Sequence, residues 1–460
     1  MRIAHVTDCY LPRLGGIERQ VQGLATAQLA AGHQVTVITS VPADAPPAPR
    51  GTTRARTTRA QSRMAQPAQS GTARSETAQS GTAQPTPAEP AQAEPAQAEP
   101  AELRVIRPAG PGGRPGSIRY LTSLRGRQAV LDGGYDLVHV HASTFSPLAY
   151  LAAGAASRSG VATVATLHSL WSYATPIFRT FDVALDWRAW PITWTAVSTA
   201  AAASLAQVLR PGTEISVLAN GISPERWQLT RRPPDPQRVV IVSVMRLAAR
   251  KRPLQLLRVL REVRAQVPAG IGIEVQIIGA GPQRETMLSY LKRHRMTGWV
   301  ELTGQLDQPA IRDRFADADL YVSPATLESF GIAALEARCA GLPVLAFAGT
   351  GVSDFIEHGR NGLLVRSDDQ LTTALARLAR SPAARVELAG DQPTGDQRGG
   401  DQRGGEFGYT WDHVLQTCEQ VYRQAFEQVG KPMPPTPVPG SLPAAGPPSV
   451  PGSLPVLRHP

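Results

Sequence analysis

Two carboxylates eight residues apart, Glu328 and Glu336, are the sharpest chemical feature of this sequence. They stand in Glu328-Ser329-Phe330-Gly331-Ile332-Ala333-Ala334-Leu335-Glu336, after an apolar run (Leu320–Ser323) and Pro324. Eight residues at a helical rise span roughly 12 Å. A loop and the helix after it thus present one carboxylate to each end of an extended ligand. Carboxylates accept hydrogen bonds from vicinal hydroxyls, such as those of ribose or a hexose. Between them, free N–H groups around Phe330, Gly331 and Ile332 favour phosphate. The helix around Glu336 is apolar, and burying a carboxylate there is expensive unless it is hydrogen-bonded.

Other loops offer complementary groups. Arg246 and Lys251 lie between an apolar run and a helical pattern, two cations near a helix start. There they oppose the positive end of the dipole, a cost relieved by a diphosphate between them. Arg supplies a fork and Lys a point charge. A solvated basic loop is the plainer reading. Gly15-Gly16 before a helix and Gly279-Ala280-Gly281-Pro282 after a strand let backbone approach a ligand closely; tight turns explain them equally well. Val138-His139-Val140-His141 alternates like a strand, so its two histidines share a face. They read as ligands or as satisfied core histidines. His168 ends the next apolar run, a titratable ring well placed for substrate.

These loops need rigid elements to hold them. Strands are expected at Ile3–Thr7, Gln34–Thr39, Leu137–His141, Ala162–Leu167 and Trp194–Val197. After Pro233–Pro236 the pattern restarts at Val239–Val244, Glu274–Gly279, Val300–Thr303, Leu320–Ser323 and Pro343–Phe347. Helical patterns intervene, including Glu18–Ala31, Leu254–Val267, Arg284–Arg295 and Phe330–Ala340. Such alternation predicts an α/β architecture of two doubly wound parallel sheets facing a cleft. Ligands bind such sheets at the carboxyl ends of the strands, where these loops lie.

Composition narrows the partners. The chain has 460 residues, and nine of its 41 prolines fall in 43–101 and eleven in 431–460. The segment 43–101 has no Leu, Ile, Val or aromatic residue, so it reads as a disordered low-complexity insert. Gly-Asp-Gln recurs at 390, 395 and 400, and the tail reads as Pro-rich and disordered. Net charge is +10, which favours anionic partners. Aromatics are 5%, so stacking platforms for nucleic acid are not expected. Cys9, Cys339 and Cys418 are far apart and suggest neither a disulfide framework nor a metal site. The N-terminal apolar run, closed by Asp8, is too short for a signal peptide, so a cytoplasmic location is expected. The uncharged stretch Ala189–Leu209 contains Pro191 and mostly Ala, and reads as a strand and a helix rather than a membrane span.

With these motifs in hand, the chain resembles the retaining glycosyltransferases of family 4, which have the two-Rossmann GT-B fold. Glu328…Glu336 matches the E-x7-E signature. Gly15-Gly16-Ile17-Glu18 is similar to the family's G-G-x-E, and Asn220-Gly221-Ile222 to its inter-domain N-G-[IV]. Arg246 and Lys251 match its phosphate-binding pair. Gly279-x-Gly281-Pro282, Gly341-Leu342-Pro343-Val344 and Asn361-Gly362-Leu363-Leu364-Val365 follow in family order. The resemblance implies an acceptor-side domain (1–230), a nucleotide-sugar domain (231–405), a terminal helix crossing back (406–430) and a tail (431–460). It implies a nucleotide-diphospho-sugar donor, with Glu336 on the ribose, Glu328 on the sugar and Arg246 and Lys251 on the diphosphate. No metal or other cofactor is then expected. Gly16, Gly281, Phe330, Gly331 and Ile332 would line the donor, and His168 would sit beside the sugar. The acceptor is a hydroxyl compound that the sequence leaves unnamed.

Three departures stand out, one being that the 43–101 segment interrupts the acceptor-side domain after its second strand. The glycine common before Arg246 is Met245, and the glycine common after Lys251 is Arg252. In membrane-associated members a basic patch touches lipid, and Arg104–Arg127 holds six Arg and no acid. Peripheral contact with anionic membrane and an Arg-rich solvated loop are both open readings. The rival functions are a GT-B sugar-nucleotide epimerase or phosphorylase, and a non-catalytic sugar-nucleotide binder.

Overall fold

The computed structural model describes residues 1–13, 15–43, 103–108, 118–171, 175, 176, 178, 180, 182, 186–390 and 407–435. Nearly all of the 43–101 insert, the repeats after Gly390 and the tail beyond 435 lie outside these residues.

Among the described residues, the first half forms one seven-stranded parallel sheet. Its strands are β1 (Arg2–Thr7), β2 (Gln34–Thr39), β3 (Arg104–Ile106), β4 (Leu137–Ala142), β5 (Ala162–Leu167), β6 (Thr193–Ala196) and β7 (Ile215–Val217), in the order β3-β2-β1-β4-β5-β6-β7. The second half forms a six-stranded parallel sheet of β8 (Arg238–Val244), β9 (Gly272–Ile278), β10 (Val300–Gly304), β11 (Leu320–Val322), β12 (Val344–Phe347) and β13 (Gly362–Val365), in the order β10-β9-β8-β11-β12-β13. The strand order reverses beside β1 in one sheet and beside β8 in the other. Those switch points open the crevices that hold ligands in such folds.

Burial explains the strands. Every residue of β4 and β5 is buried, as parallel strands covered on both faces require. β3, β7 and β13 were not expected from the sequence. β3 and β7 are three-residue edge strands, half-buried or exposed, so neither carries an apolar run. The helix after Glu328 also starts later than expected, at Ile332 rather than Phe330. Gly331 takes φ +96°, a left-handed cap that glycine adopts without strain, and Phe330 turns into the core against Phe355 and Tyr409.

The two halves are tied by the last helix among the described residues. Trp411–Gln428 lies on the first sheet, not the second: Val414, Val421, Tyr422 and Phe426 pack with Ile3, Leu24, Leu137 and Val164. At the crossing, the Gln20 amide donates to the Gly221 carbonyl and accepts from its N–H, both at 2.9 Å. Trp411 fills the space a side chain at Gly221 would need.

The Arg104–Arg127 cluster is only partly described. Within it, Arg107 is not a surface charge: it donates to the carbonyls of Leu11 and Val41 at 2.9 Å each and lies over the Tyr10 ring. No described helix is long and apolar enough to cross a membrane.

Candidate active site

The cationic loop is built from backbone. Met245 N–H donates to Ile278 at 3.0 Å, Leu247 N–H to Ala280 at 2.9 Å, and Gln283 N–H to the Leu247 carbonyl at 2.9 Å. The loop after β8 is thus zipped to the loop after β9. This explains both glycines of the second loop. A Cβ at Gly279 would lie 1.9 Å from the Met245 carbonyl oxygen, and one at Gly281 2.4 Å from that of Leu247. The close approach at Gly281 is therefore to this protein's own backbone. Met245 needs only its N–H here, so a side chain is tolerated where the family often carries glycine.

Arg252 occupies the other departed position with φ +56°, a backbone region that disfavours side chains. Its guanidinium is anchored away from the loop. It donates to both Asp368 oxygens, at 3.0 and 2.7 Å, and lies 5.2 Å from the Phe347 ring centroid. Those contacts offset a backbone strain of roughly 1–3 kcal/mol.

Lys251 turns the opposite way and forms an ion pair with Glu328. Both are mostly buried, so the pair is strong enough to place the Glu328 carboxylate against the cationic loop. Glu336 sits deeper, 3% exposed, on the helix Ile332–Cys339. It accepts from the Gln308 amide at 3.3 Å. Burial pushes its carboxyl up to about 7, against the pull of Arg19 and Gln308. Tyr321 lies buried beside both carboxylates; burial first, then Glu328 and Glu336, raises its phenol.

The first half closes over this array. Gly16 opens the first helix (Gly16–Ala30), and a Cβ there would lie 3.1 Å from the Ile332 side chain. Glu18 folds its carboxylate back over Gly15. Burial raises its proton affinity, opposed by Arg13, Arg19 and Arg246, so Arg246 faces the G-G-x-E motif electrostatically. Across the cleft the Ser329 hydroxyl donates to the His168 carbonyl at 2.8 Å, and Ser198 donates to the Ser329 carbonyl at 2.5 Å. The segment bearing Glu328 is thus a wall shared by both halves. His168 is half-buried at the end of β5.

The sequence-selected residues therefore fall into three groups. Glu328 and Lys251 pair with each other, Gly16 meets Ile332 and His168 meets Ser329 between the halves, Glu336 lies buried on the Ile332 helix, and Arg246 and Gly331 sit in their loops. Phe330 buries its ring, and Gly281 packs a neighbouring loop. His139 and His141 are buried and hydrogen-bonded, the core reading of the two offered.

Sequence reasoning missed Arg19. It lies in the G-G-x-E helix, acts electrostatically on both Glu18 and Glu336, and has a buried Nε with no hydrogen-bond partner. Its position directly after Glu18 was the available signal.

Comparisons with known proteins bear on the family and the fold. The model for Glycosyltransferase Family 4 matches residues 83–226, and that for Glycosyl transferases group 1 matches 227–391. The glycogen synthase of Mycobacterium tuberculosis is 26% identical over 245 residues, 51% of this chain and 54% of that protein. The D-inositol 3-phosphate glycosyltransferase of Rhodococcus opacus is 31% identical over 206 residues, 42% of each chain. This chain therefore spans about half the length of the curated relatives it matches. Among solved structures, sucrose-phosphate synthase of Thermosynechococcus elongatus aligns with a TM-score of 0.62 at 19% identity, covering 93% of this chain and 99% of that one. HepE of Anabaena, in complex with UDP, aligns with 0.60 at 15%, covering 92% and 99%. These two share the fold.

Proposed function

We propose that this chain, which belongs to the family 4 glycosyltransferases, moves a sugar from a nucleotide-diphospho-sugar to a hydroxyl acceptor with retention of anomeric configuration. The observation that carries this is the pairing of Lys251 with Glu328 beside the buried Glu336. A cation for a leaving diphosphate then stands next to a carboxylate for the sugar, with a second carboxylate for ribose.

In this reading Lys251 and Arg246 neutralise the diphosphate as its bond to the anomeric carbon breaks. That charge stabilisation replaces a metal ion. Glu328, released from Lys251 by the donor, accepts from sugar hydroxyls. The acceptor oxygen attacks from the leaving-group face and gives its proton to the departing phosphate. Gly16 lets the first half's backbone approach the donor, and the acceptor binds mainly on that half.

A thermal-shift panel of UDP-, GDP- and ADP-sugars tests donor binding. A ligand at about 100 times its dissociation constant adds ~2.7 kcal/mol of stability. Stabilisation by one base class, and nucleoside diphosphate release only when an acceptor is added, is the expected pair of results. No response to any nucleotide sugar overturns the reading.

Glu336 makes a second prediction. Its carboxyl titrates near 7 in the free protein, whereas ribose hydroxyls donate to the carboxylate form. Binding at about pH 6 should therefore expel close to one proton, falling toward none above about pH 8. Calorimetry in buffers of different ionisation enthalpy reads the number directly, and Glu336→Gln should abolish it.

A further inference from the structure

Behind His168 a column of hydrogen-bonded side chains runs through the first half, and its direction can be worked out from one end. Thr195 Oγ1 donates to the Ala165 carbonyl at 3.3 Å, a group that only accepts. Thr195 therefore accepts from Thr166 at 2.6 Å. Thr166, its proton used, accepts from His139 Nε2 at 2.6 Å. A neutral imidazole protonated at Nε2 accepts at Nδ1, here from the Tyr422 hydroxyl at 2.9 Å. Tyr422 in turn accepts from the Gln28 amide nitrogen at 2.7 Å. That leaves the Gln28 oxygen toward His5 Nε2, which donates at 2.7 Å. His5 Nδ1 accepts from His141 Nε2 at 2.9 Å, and His141 Nδ1 from His168 Nε2 at 3.1 Å. The polarity set at Ala165 is carried from ring to ring to the cleft.

The rings are neutral: burial lowers all four, His5 and His168 to about 4 and His139 and His141 well below the ordinary histidine value. His5, His139 and His141 also have ligand nitrogens within 4.8 Å of one another, a set that a transition metal would accept. All six of their ring nitrogens are already engaged in the column, however, so the metal reading has no lone pair to spare.

We propose that this column holds His168 protonated at Nε2, leaving Nδ1 as an obligate acceptor for a hydroxyl of the bound sugar. Among the described residues Nδ1 of His168 has no hydrogen-bond partner. His141, His5, Gln28 and Tyr422 are positioning residues that act through it. A carboxylate at that place in the sugar would meet a lone pair, so the site favours a hydroxylated sugar over a uronate there. The choice of ligand rests on the donor-site reading above; the tautomer does not.

Two-bond proton–nitrogen correlation spectra of the full chain, labelled with nitrogen-15 histidine at pH 7.5, test it without any substrate. His168 is assigned by its loss in His168→Gln. The expected spectrum shows His5, His139, His141 and His168 fixed as Nε2–H tautomers. His141→Leu should return His168 to a tautomer-averaged ring, while signals from the distant His294 and His358 stay in place. Protonation of His168 at Nδ1, metal-shifted ring nitrogens, or a His168 signal unmoved by His141→Leu overturns the proposal. If His141→Leu does not fold, the wild-type tautomers decide alone. An overturned tautomer leaves the donor-site reading standing, and an absent donor leaves this measurement unaffected.

Discussion

Lys251→Ala is expected to lower turnover roughly 10²–10³-fold while leaving the chain folded. The two effects separate because the lysine does different things in the empty and reacting site. In the empty cleft it pairs with Glu328, at 16% and 14% exposure. Losing one partner of such a charged hydrogen bond costs about 1–3 kcal/mol. A domain of ordinary stability, ~5–15 kcal/mol, survives that. In the reaction Lys251 meets charge that grows as the diphosphate leaves, so its loss falls on the barrier. The measurement is steady-state release of nucleoside diphosphate beside a melting curve. Unchanged turnover would mean that the diphosphate is held elsewhere.

Acid is expected to unfold this protein well above the pH at which carboxylates alone would. His5 and His168 titrate near 4 in the folded chain against an ordinary 6.5, because burial disfavours their charged forms. The unfolded chain therefore binds more protons between those values. Stability is fully present above pH 6.5 and is lost as pH falls toward 4. A shift of that size is worth about 3 kcal/mol per ring, and His139 and His141 add in the same direction. Glu336 and Glu18 act oppositely, because their raised carboxyls cost stability as pH rises above 4.5. The lowered histidines, His33 among them, outnumber these two acids, so the net slope follows the histidines. Urea midpoints followed by circular dichroism from pH 8 to pH 4.5 should fall steeply below about 6.5. A flat profile would show that these rings are not held neutral. His5→Gln, which keeps hydrogen-bonding capacity without a titrating ring, should flatten part of the slope.

How much of this was legible beforehand depended on how local the determinant was. The carboxylate pair, the Arg246 and Lys251 loop and the strand pattern are written in short stretches, and the two-sheet fold followed from them. The helix start at Ile332 was misjudged because Phe330 looks helical until Gly331 is seen at positive φ. Gly281 looked like a ligand-facing glycine because sequence does not say which backbone approaches it. The column behind His168 was illegible for another reason. Its members come from β1, the first helix, β4, β5, β6 and the last helix, and Tyr422 lies 283 residues from His139. Alternation showed that His139 and His141 share a face; nothing local showed what else pointed there.

The last helix has a consequence for how the chain comes into being. Ile3, Leu137 and Val164 are covered by Val414, Val421 and Phe426, residues made only after the whole second sheet. Domains usually complete themselves in turn as they leave the ribosome. Here the first half must emerge with an apolar flank still bare and wait while some two hundred further residues are synthesised at ~5–20 per second. For that interval of tens of seconds the flank stays uncovered, and the first half closes only after the second sheet has been made.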